Sequence, residues 1–143
     1  MIVYLAGPID ALGSTDGKTW NVCAQTYIRN SGHSAYSPLM AWAADVGDAI
    51  SVCSINRAAI CYSDGMFVNL TMNVPVFETI REIEFFKSRN SKKPVLVWVP
   101  KVSEANYYSK LGCHDLVISS ADTIENAIDE LFDNMEMKNA KGA

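Results

Sequence analysis

The chain has 143 residues, a length that suits one ordinary domain, and 49% of them are hydrophobic, enough to build a core. Its formal charge is −4 and it contains no strong basic run, so nucleic acid is not an expected partner. No apolar stretch approaches the ~20 residues of a membrane span, and the first apolar run lacks the basic n-region and long h-region typical of a secretory leader. We therefore expect a cytoplasmic protein that does not bind membranes.

Residue types that commonly hold metals or form disulfides are scattered along this sequence. The four cysteines show no Cys-x-x-Cys spacing and stand mostly among apolar neighbours, which predicts buried, reduced thiols. His33 and His114 have no second ligand at metal-binding spacing. The sequence therefore predicts no metal site and no cofactor.

The first quarter of the chain alternates between strand and helix patterns. Residues 2–6 form an apolar run closed by a Gly-Pro pair, which predicts a buried strand ending in a turn. The polar, glycine-bearing segment 10–18 predicts a loop. Apolar residues at helical spacing over 20–28 predict a helix, and the short run 33–37 predicts a second strand.

The same alternation continues to the end of the chain. The predicted helices are 48–62, 76–90, 103–111 and 121–137, and the predicted strands are 64–70, 94–99 and 115–119. This order indicates an α/β fold, because right-handed crossovers place helices on both faces of a parallel sheet. We predict a flavodoxin-like, five-stranded parallel sheet in the order 2-1-3-4-5. The domain is predicted to span 1–137, with a flexible tail over 138–143.

A carboxylate stands early in the helix that follows the third predicted strand. Ligands of an open parallel sheet bind beyond the carboxyl ends of its strands, where the first turns of the following helices lie. In helical projection Val76, Ile80 and Ile83 share one face, and Glu82 lies roughly 100° to the side. Periodicity alone leaves two interpretations of Glu82 open, a working acid and a solvated helix carboxylate.

The turn after the first strand is a second candidate ligand contact. Its glycine lets backbone N–H groups approach a ligand, although a plain tight turn explains the same residues equally well. Tyr4, on the strand itself, also fits an ordinary core aromatic. The chain carries neither a GxGxxG nor a Walker phosphate motif, and the absence of a GxSxG elbow argues against a serine hydrolase.

Four segments in this order resemble the nucleoside 2-deoxyribosyltransferase family, which includes the related deoxynucleoside 5′-monophosphate N-glycosidases. They are 4–8, 56–64, 75–83 and 93–95, and the most specific part is Thr-x-x-Glu-Ile followed by a strand that opens Lys-Pro-Val. The resemblance implies that Glu82 attacks the anomeric carbon of the sugar and that Tyr4 orients it. A two-step displacement of this kind retains configuration. It requires an ionised Glu82, so its pKa is expected to stay below the working pH, helped by a Tyr4 hydrogen bond.

The chain departs from the family pattern at two places. Asn56, eight residues before Asp64, stands where the family usually has an acid, and an amide cannot exchange a proton as a carboxylate does. Val76 and Glu78 stand where the family has a glycine turn with a phosphate-binding serine, which favours an uncharged nucleoside unless the first loop compensates.

The remaining candidate residues lie at the carboxyl ends of the first and third predicted strands and in the loops that follow them. Besides the catalytic candidates Glu82, Tyr4 and Asn56, we expect substrate contacts from Gly7, Pro8, Asp10, Asn69, Thr71 and Asn73. Several aromatic side chains could form the apolar contact of a homodimer or higher homo-oligomer, although burial in the core explains them equally well. They are Trp42, Phe85, Phe86, Tyr107 and Tyr108.

The leading hypothesis is an enzyme that cleaves the N-glycosidic bond of a nucleoside or nucleoside 5′-monophosphate and passes the sugar to a base or to water. A nucleotide-binding module without catalysis is a second hypothesis, since Asn56 and Glu78 depart from the enzyme pattern. A flavodoxin-like interaction or signalling domain is a third.

Overall fold

The structure, a computed structural model, describes residues 1–7, 15–38, 49–71, 77–99 and 115–142. Its elements in chain order are β1 (Ile2–Ala6), α1 (Thr15–Asn30), β2 (Ser34–Tyr36), α2 (Ala49–Tyr62), β3 (Gly65–Asn69), α3 (Phe77–Arg89), β4 (Val95–Trp98), β5 (Val117–Ser119) and α4 (Ile124–Gly142). The five strands pair in parallel in the order β2-β1-β3-β4-β5. The predicted α/β fold and strand order are confirmed.

The sheet is buried on both faces, which explains why its central strands read as continuous apolar runs. Along β1, Val3 and Leu5 pack on the side of α1 and α4. Tyr4 and Ala6 point to the opposite side, where they meet Ile60 of α2 together with residues of α3. This alternation carries the side chain of Tyr4 into the layer beneath α2 and α3.

Several boundaries differ from the sequence prediction. The first helix begins at Thr15, inside the segment predicted as a loop, because polar residues are as common in a first helical turn as in a loop. The last helix continues past the predicted end at Met137 to Gly142. The predicted helix 103–111 lies outside the described residues. Within the described ranges, no helix is both long and apolar enough to cross a membrane.

The predicted burial of the cysteines is wrong for three of the four. Cys23 of α1 and Cys53 and Cys61 of α2 are free thiols, as predicted, but their side chains are exposed. Apolar sequence neighbours do not bury a helical residue, because adjacent positions lie about 100° apart on the helix. Cys113 lies outside the described residues.

Lys93 of the Lys-Pro-Val segment closes the end of α2, on the side of the sheet where β3 and β4 begin. Its Nζ donates to the carbonyl oxygen of Ser63 at 2.7 Å, and the neighbouring Asn90 Nδ2 donates to that of Ile60 at 3.2 Å. Carbonyl groups at a helix C-terminus lack partners within the helix, so a cation there is stabilising.

Lys93→Met is expected to lower the free energy of unfolding by about 1–2 kcal/mol, because it removes a charge-assisted hydrogen bond to a helix end. Urea unfolding measures the effect, and the exposed neighbour Lys92 supplies the matched control, Lys92→Met. Equal losses in the two variants would contradict this role for Lys93.

Candidate active site

The inward face of α3 differs from the one predicted. Ile80 is 51% exposed, whereas Thr79 is 4% exposed and Ile83 and Phe86 are buried. The buried positions follow an i, i+4, i+7 pattern, and Glu82 at i+3 lies on the same stripe. Compared with the predicted orientation, α3 is rotated about its axis so that Thr79, and not Ile80, faces the sheet. This rotation also brings Glu82 to the sheet.

Helix α2 repeats this arrangement with an amide. Val52 and Ile60 are buried, and Asn56 lies between them at helical spacing and is half-buried. Ile55, in contrast, is 39% exposed. Both helices therefore place one polar side chain within the stripe that faces the sheet.

Two tyrosines from neighbouring strands form the floor below these polar side chains. Tyr4 of β1 and Tyr36 of β2 are paired in register and stack with ring centroids 5.5 Å apart and an interplanar angle of 18°. The Tyr36 hydroxyl donates to Asn56 Oδ1 at 2.9 Å. The structure thus brings together three candidates that are far apart in the sequence, Tyr4, Asn56 and Glu82, and adds Tyr36.

Two atoms at this point are buried without a hydrogen-bond partner among the described residues. They are the Tyr4 hydroxyl and Glu82 Oε2. The hydroxyl and the carboxylate are close enough to alter each other's pKa, although they do not meet in full hydrogen-bond geometry. Unpartnered buried polar atoms are costly, and in a native protein they commonly mark a site that a ligand completes.

Burial dominates the electrostatics of Glu82. Desolvation raises the pKa of its carboxyl from 4.5 to about 7, the Tyr4 hydroxyl opposes this rise, and the nearby negative charge of Glu78 adds to it. With a pKa of about 7, the carboxyl is only partly ionised near neutral pH. The expectation that this pKa stays below the working pH remains a prediction. The Tyr4 hydroxyl acts in the predicted direction, but the loss of water around the carboxyl outweighs it.

Both tyrosines remain protonated donors beside this carboxyl. Burial, and then the negative charge of Glu82, raise the pKa of Tyr4 and of Tyr36 above the ordinary value. Neither hydroxyl is therefore an acid of useful strength near neutral pH. They serve as fixed dipoles rather than as proton sources.

A cavity of about 500 Å³ opens between α2 and α3 and includes Asn56 and Glu82 in its walls. Its charged lining residues are Arg57, Glu78, Arg81, Glu82 and Glu84. Phe85 also lines the cavity, and the guanidinium groups of Arg57 and Arg89 each lie 5.5 Å from its ring centre. Phe86 is fully buried in the core, which removes it from the apolar material for a partner chain.

The other predicted contacts lie on the opposite side of the sheet or outside the described residues. Asn69 and Gly7 stand together at the carboxyl edge on the side of α1, where a Cβ on Gly7 would lie 2.9 Å from Trp20. Gly7 also has φ +149°, so glycine is required there. Asn69 Oδ1 accepts from the backbone and hydroxyl of Thr71 at 2.9 and 2.6 Å.

This second group of edge residues therefore shapes the end of β3 but does not line the cavity beside Glu82. Three further predicted contacts, Pro8, Asp10 and Asn73, lie outside the described residues.

Sequence reasoning missed Tyr36 and Arg57 as site residues. Tyr36 ends a three-residue strand whose short pattern carries no functional signal. A usable signal existed for the helices, since Thr79, Glu82, Ile83 and Phe86 follow i, i+3, i+4, i+7 spacing. A polar residue inside such a stripe indicates a buried polar group.

No model of a known protein family matches the chain, and no curated protein matches it either. Among solved structures it is similar to a 2-deoxyribosyltransferase from Bacillus psychrosaccharolyticus, with TM-score 0.60 and 20% identity over 71% of this chain and 74% of that one. It is also similar to the CMP N-glycosidase BcmB of Clostridium botulinum, with TM-score 0.60 and 12% identity over 93% and 98%.

The same fold occurs in a protein of a different kind. A CheY-like response regulator receiver domain protein from Methanospirillum hungatei JF-1 has TM-score 0.58 and 6% identity over 99% of this chain and 98% of its own. These similarities confirm the fold and place nucleoside- and nucleotide-acting enzymes among the structural neighbours. Because one fold serves an enzyme and a receiver domain protein, function depends on the side chains at the site and not on the fold.

Proposed function

We propose that the protein cleaves the N-glycosidic bond of a nucleoside or a nucleoside 5′-monophosphate through a covalent glycosyl-Glu82 intermediate. The sugar then passes to another base or to water. The observation that carries the proposal is the buried, unpartnered Oε2 of Glu82 beside the Tyr4 hydroxyl, in the wall of a cavity. Its supporting analogy is the fold shared with a 2-deoxyribosyltransferase and an N-glycosidase.

The chemistry of such a carboxyl suits a nucleophile. A carboxylate that has lost most of its water attacks carbon more readily than a solvated one, once it is ionised. With its pKa raised to about 7, a substantial fraction of Glu82 is ionised at neutral pH. The Tyr4 hydroxyl favours this charged form.

The charged groups in the cavity affect which substrates bind. The carboxylates of Glu78, Glu82 and Glu84 face the guanidinium groups of Arg57 and Arg81, and Arg81 is already paired with Glu78 at 3.4 Å. This balance favours an uncharged nucleoside over a dianionic monophosphate. Arg57 is the cation best placed to meet a phosphate if one binds.

The test is incubation of the protein with deoxynucleosides, ribonucleosides and their 5′-monophosphates, with and without an acceptor base, followed by chromatography. We expect release of base from one class and exchange of base when an acceptor is present. Failure of a folded preparation to consume any member of the panel would contradict the proposal. Free sugar alone identifies a hydrolase, and a new nucleoside identifies a transferase.

A binding module without catalysis is the second candidate, favoured by the amide at position 56. It predicts that a nucleoside raises the melting temperature or releases heat on titration without any turnover. The same panel, assayed for binding and for products, separates the two candidates.

A further inference from the structure

The side-chain amide of Asn56 is held at one end only. Its Oδ1 accepts the Tyr36 hydroxyl proton at 2.9 Å, and its Nδ2 has no partner in the part of the chain that the structure describes. Asn56 lines the cavity that also contains Glu82. The free end of the amide therefore offers a pair of N–H donors on a residue that lines the same cavity as Glu82.

Tyr36 is a rigid anchor for this amide. Its ring stacks on Tyr4, which is fully buried, and its backbone pairs in register with Tyr4 in the sheet. A protonated phenol that donates to the amide oxygen turns the nitrogen the other way. The orientation of Asn56 is thus set by β2 and not by the helix that carries it.

Resting on the proposed function, we propose that Tyr36 is a positioning residue that presents the Asn56 N–H groups to the departing base, as donors that cannot protonate it. The enzyme would then act on bases that leave as stabilised anions, with an acceptor such as a carbonyl oxygen beside the glycosidic nitrogen. A pyrimidine base has this chemistry.

The electron count follows from these roles. The ionised Glu82 oxygen forms a bond to C1′, the bond between C1′ and the base nitrogen breaks, and its electron pair leaves with the base. The base anion accepts a hydrogen bond from Asn56 and later takes a proton from water. Hydrolysis of the sugar ester releases the balancing proton and restores the Glu82 carboxylate.

Within the described residues, no group around the cavity is a better proton donor to the departing base. Glu82 cannot be both nucleophile and proton donor in one step, and Tyr4 and Tyr36 hold their protons tightly. The other titratable or charged lining residues in the described ranges are Cys53, Arg57, Glu78, Arg81 and Glu84. Of the carboxyls, Glu78 and Glu84 are exposed and Glu78 is engaged by Arg81.

The first experiment compares 2′-deoxyuridine with 5-fluoro-2′-deoxyuridine, whose base is the better anion. Without a general acid, kcat/KM should be about tenfold higher for the fluorinated substrate. Asn56→Asp keeps an acceptor for Tyr36 but places a carboxyl at the free end. It should reduce this preference and add a decline in rate at high pH. Equal rates of the two substrates with the wild type would overturn the inference.

The second experiment is a double-mutant cycle. Tyr36→Phe should lower kcat by about tenfold with little change in KM, and it should have no further effect when combined with Asn56→Ala. The matched control is Tyr27→Phe, which removes a similar hydroxyl bond, 2.7 Å long, to Asp129 on the other side of the sheet. An unchanged effect of Tyr36→Phe in the Asn56→Ala background would overturn the proposal.

A measurement without substrate keeps this inference distinct from the proposed function. In the ¹⁵N NMR spectrum, Tyr36→Phe should shift the Asn56 side-chain amide signals, identified by their loss in Asn56→Asp, whereas Tyr27→Phe should not. If nucleosides react but these signals do not move, only this inference is overturned. If no nucleoside reacts, the proposed function fails, and the role at the departing base fails with it.

Discussion

Glu82→Gln is expected to lose activity by roughly 10⁴-fold and yet to be more stable than the wild type above pH 7. The activity falls because an amide cannot form the glycosyl ester. The stability rises because the folded protein holds this carboxyl in a place that disfavours its charge. Damage to the fold would lower both quantities, so the opposite signs identify a buried functional acid.

The pH range of the stability effect follows from the pKa of Glu82. The pKa is raised from 4.5 to about 7 on folding, so the folded state favours the protonated carboxyl. Its stabilising contribution is complete below 4.5 and is lost as the pH rises through 7. At pH 8.5 the ionised carboxyl therefore destabilises the protein by up to about 3 kcal/mol, which glutamine removes.

Thermal unfolding at pH 5 and pH 8.5 measures this difference. The control is Glu136→Gln, an exposed glutamate on α4, on the other side of the sheet from the cavity. We expect Glu82→Gln to gain stability relative to the wild type only at the higher pH. A Glu82→Gln protein that retains activity, or that behaves like Glu136→Gln in both melts, would remove Glu82 from the site.

The kcat/KM of the wild-type enzyme is expected to rise with pH through about 7, the pKa of the Glu82 carboxyl in the enzyme without substrate. Below that pH, kcat/KM should fall about tenfold per pH unit, since only the ionised form attacks. Tyr4→Phe should move this limb to higher pH, because the Tyr4 hydroxyl lowers the Glu82 pKa. The variant should lose little stability, because the hydroxyl lacks a hydrogen-bond partner.

Profiles of kcat/KM against pH for the wild type, Tyr4→Phe and the control Tyr27→Phe test this prediction. The shift is expected in Tyr4→Phe alone. An unchanged limb in that variant would show that the hydroxyl does not act on Glu82. A limb near 4.5 in the wild type would mean that the carboxyl is better solvated than its burial indicates.

The sequence predicted the sheet well because a parallel sheet covered on both faces leaves a local pattern. Residues 65–69 are buried at every position, and such strands read as unbroken apolar runs between turn residues. Helix boundaries were less accurate at Thr15, where polarity fits both a loop and a first turn.

The candidate site was predicted less completely than the fold. Glu82 and Tyr4 were selected through a resemblance to a family, and periodicity alone left Glu82 open. The apolar residue Ile80 suggested the wrong inward face, because a helix with apolar residues on two sides can pack in either rotation. Tyr36 was not selected at all, since its role exists only through contacts with Tyr4 and Asn56.

By itself, the sequence determined the α/β fold and the strand order, because hydrophobic burial depends on patterns within a few residues. Only the tertiary structure decided the rotation of α3, the pairing of Tyr36 with Asn56 and the raised pKa of Glu82. Those features depend on distances between side chains from β1, β2, α2 and α3. The free energy of a charge is set by the water that those neighbours exclude.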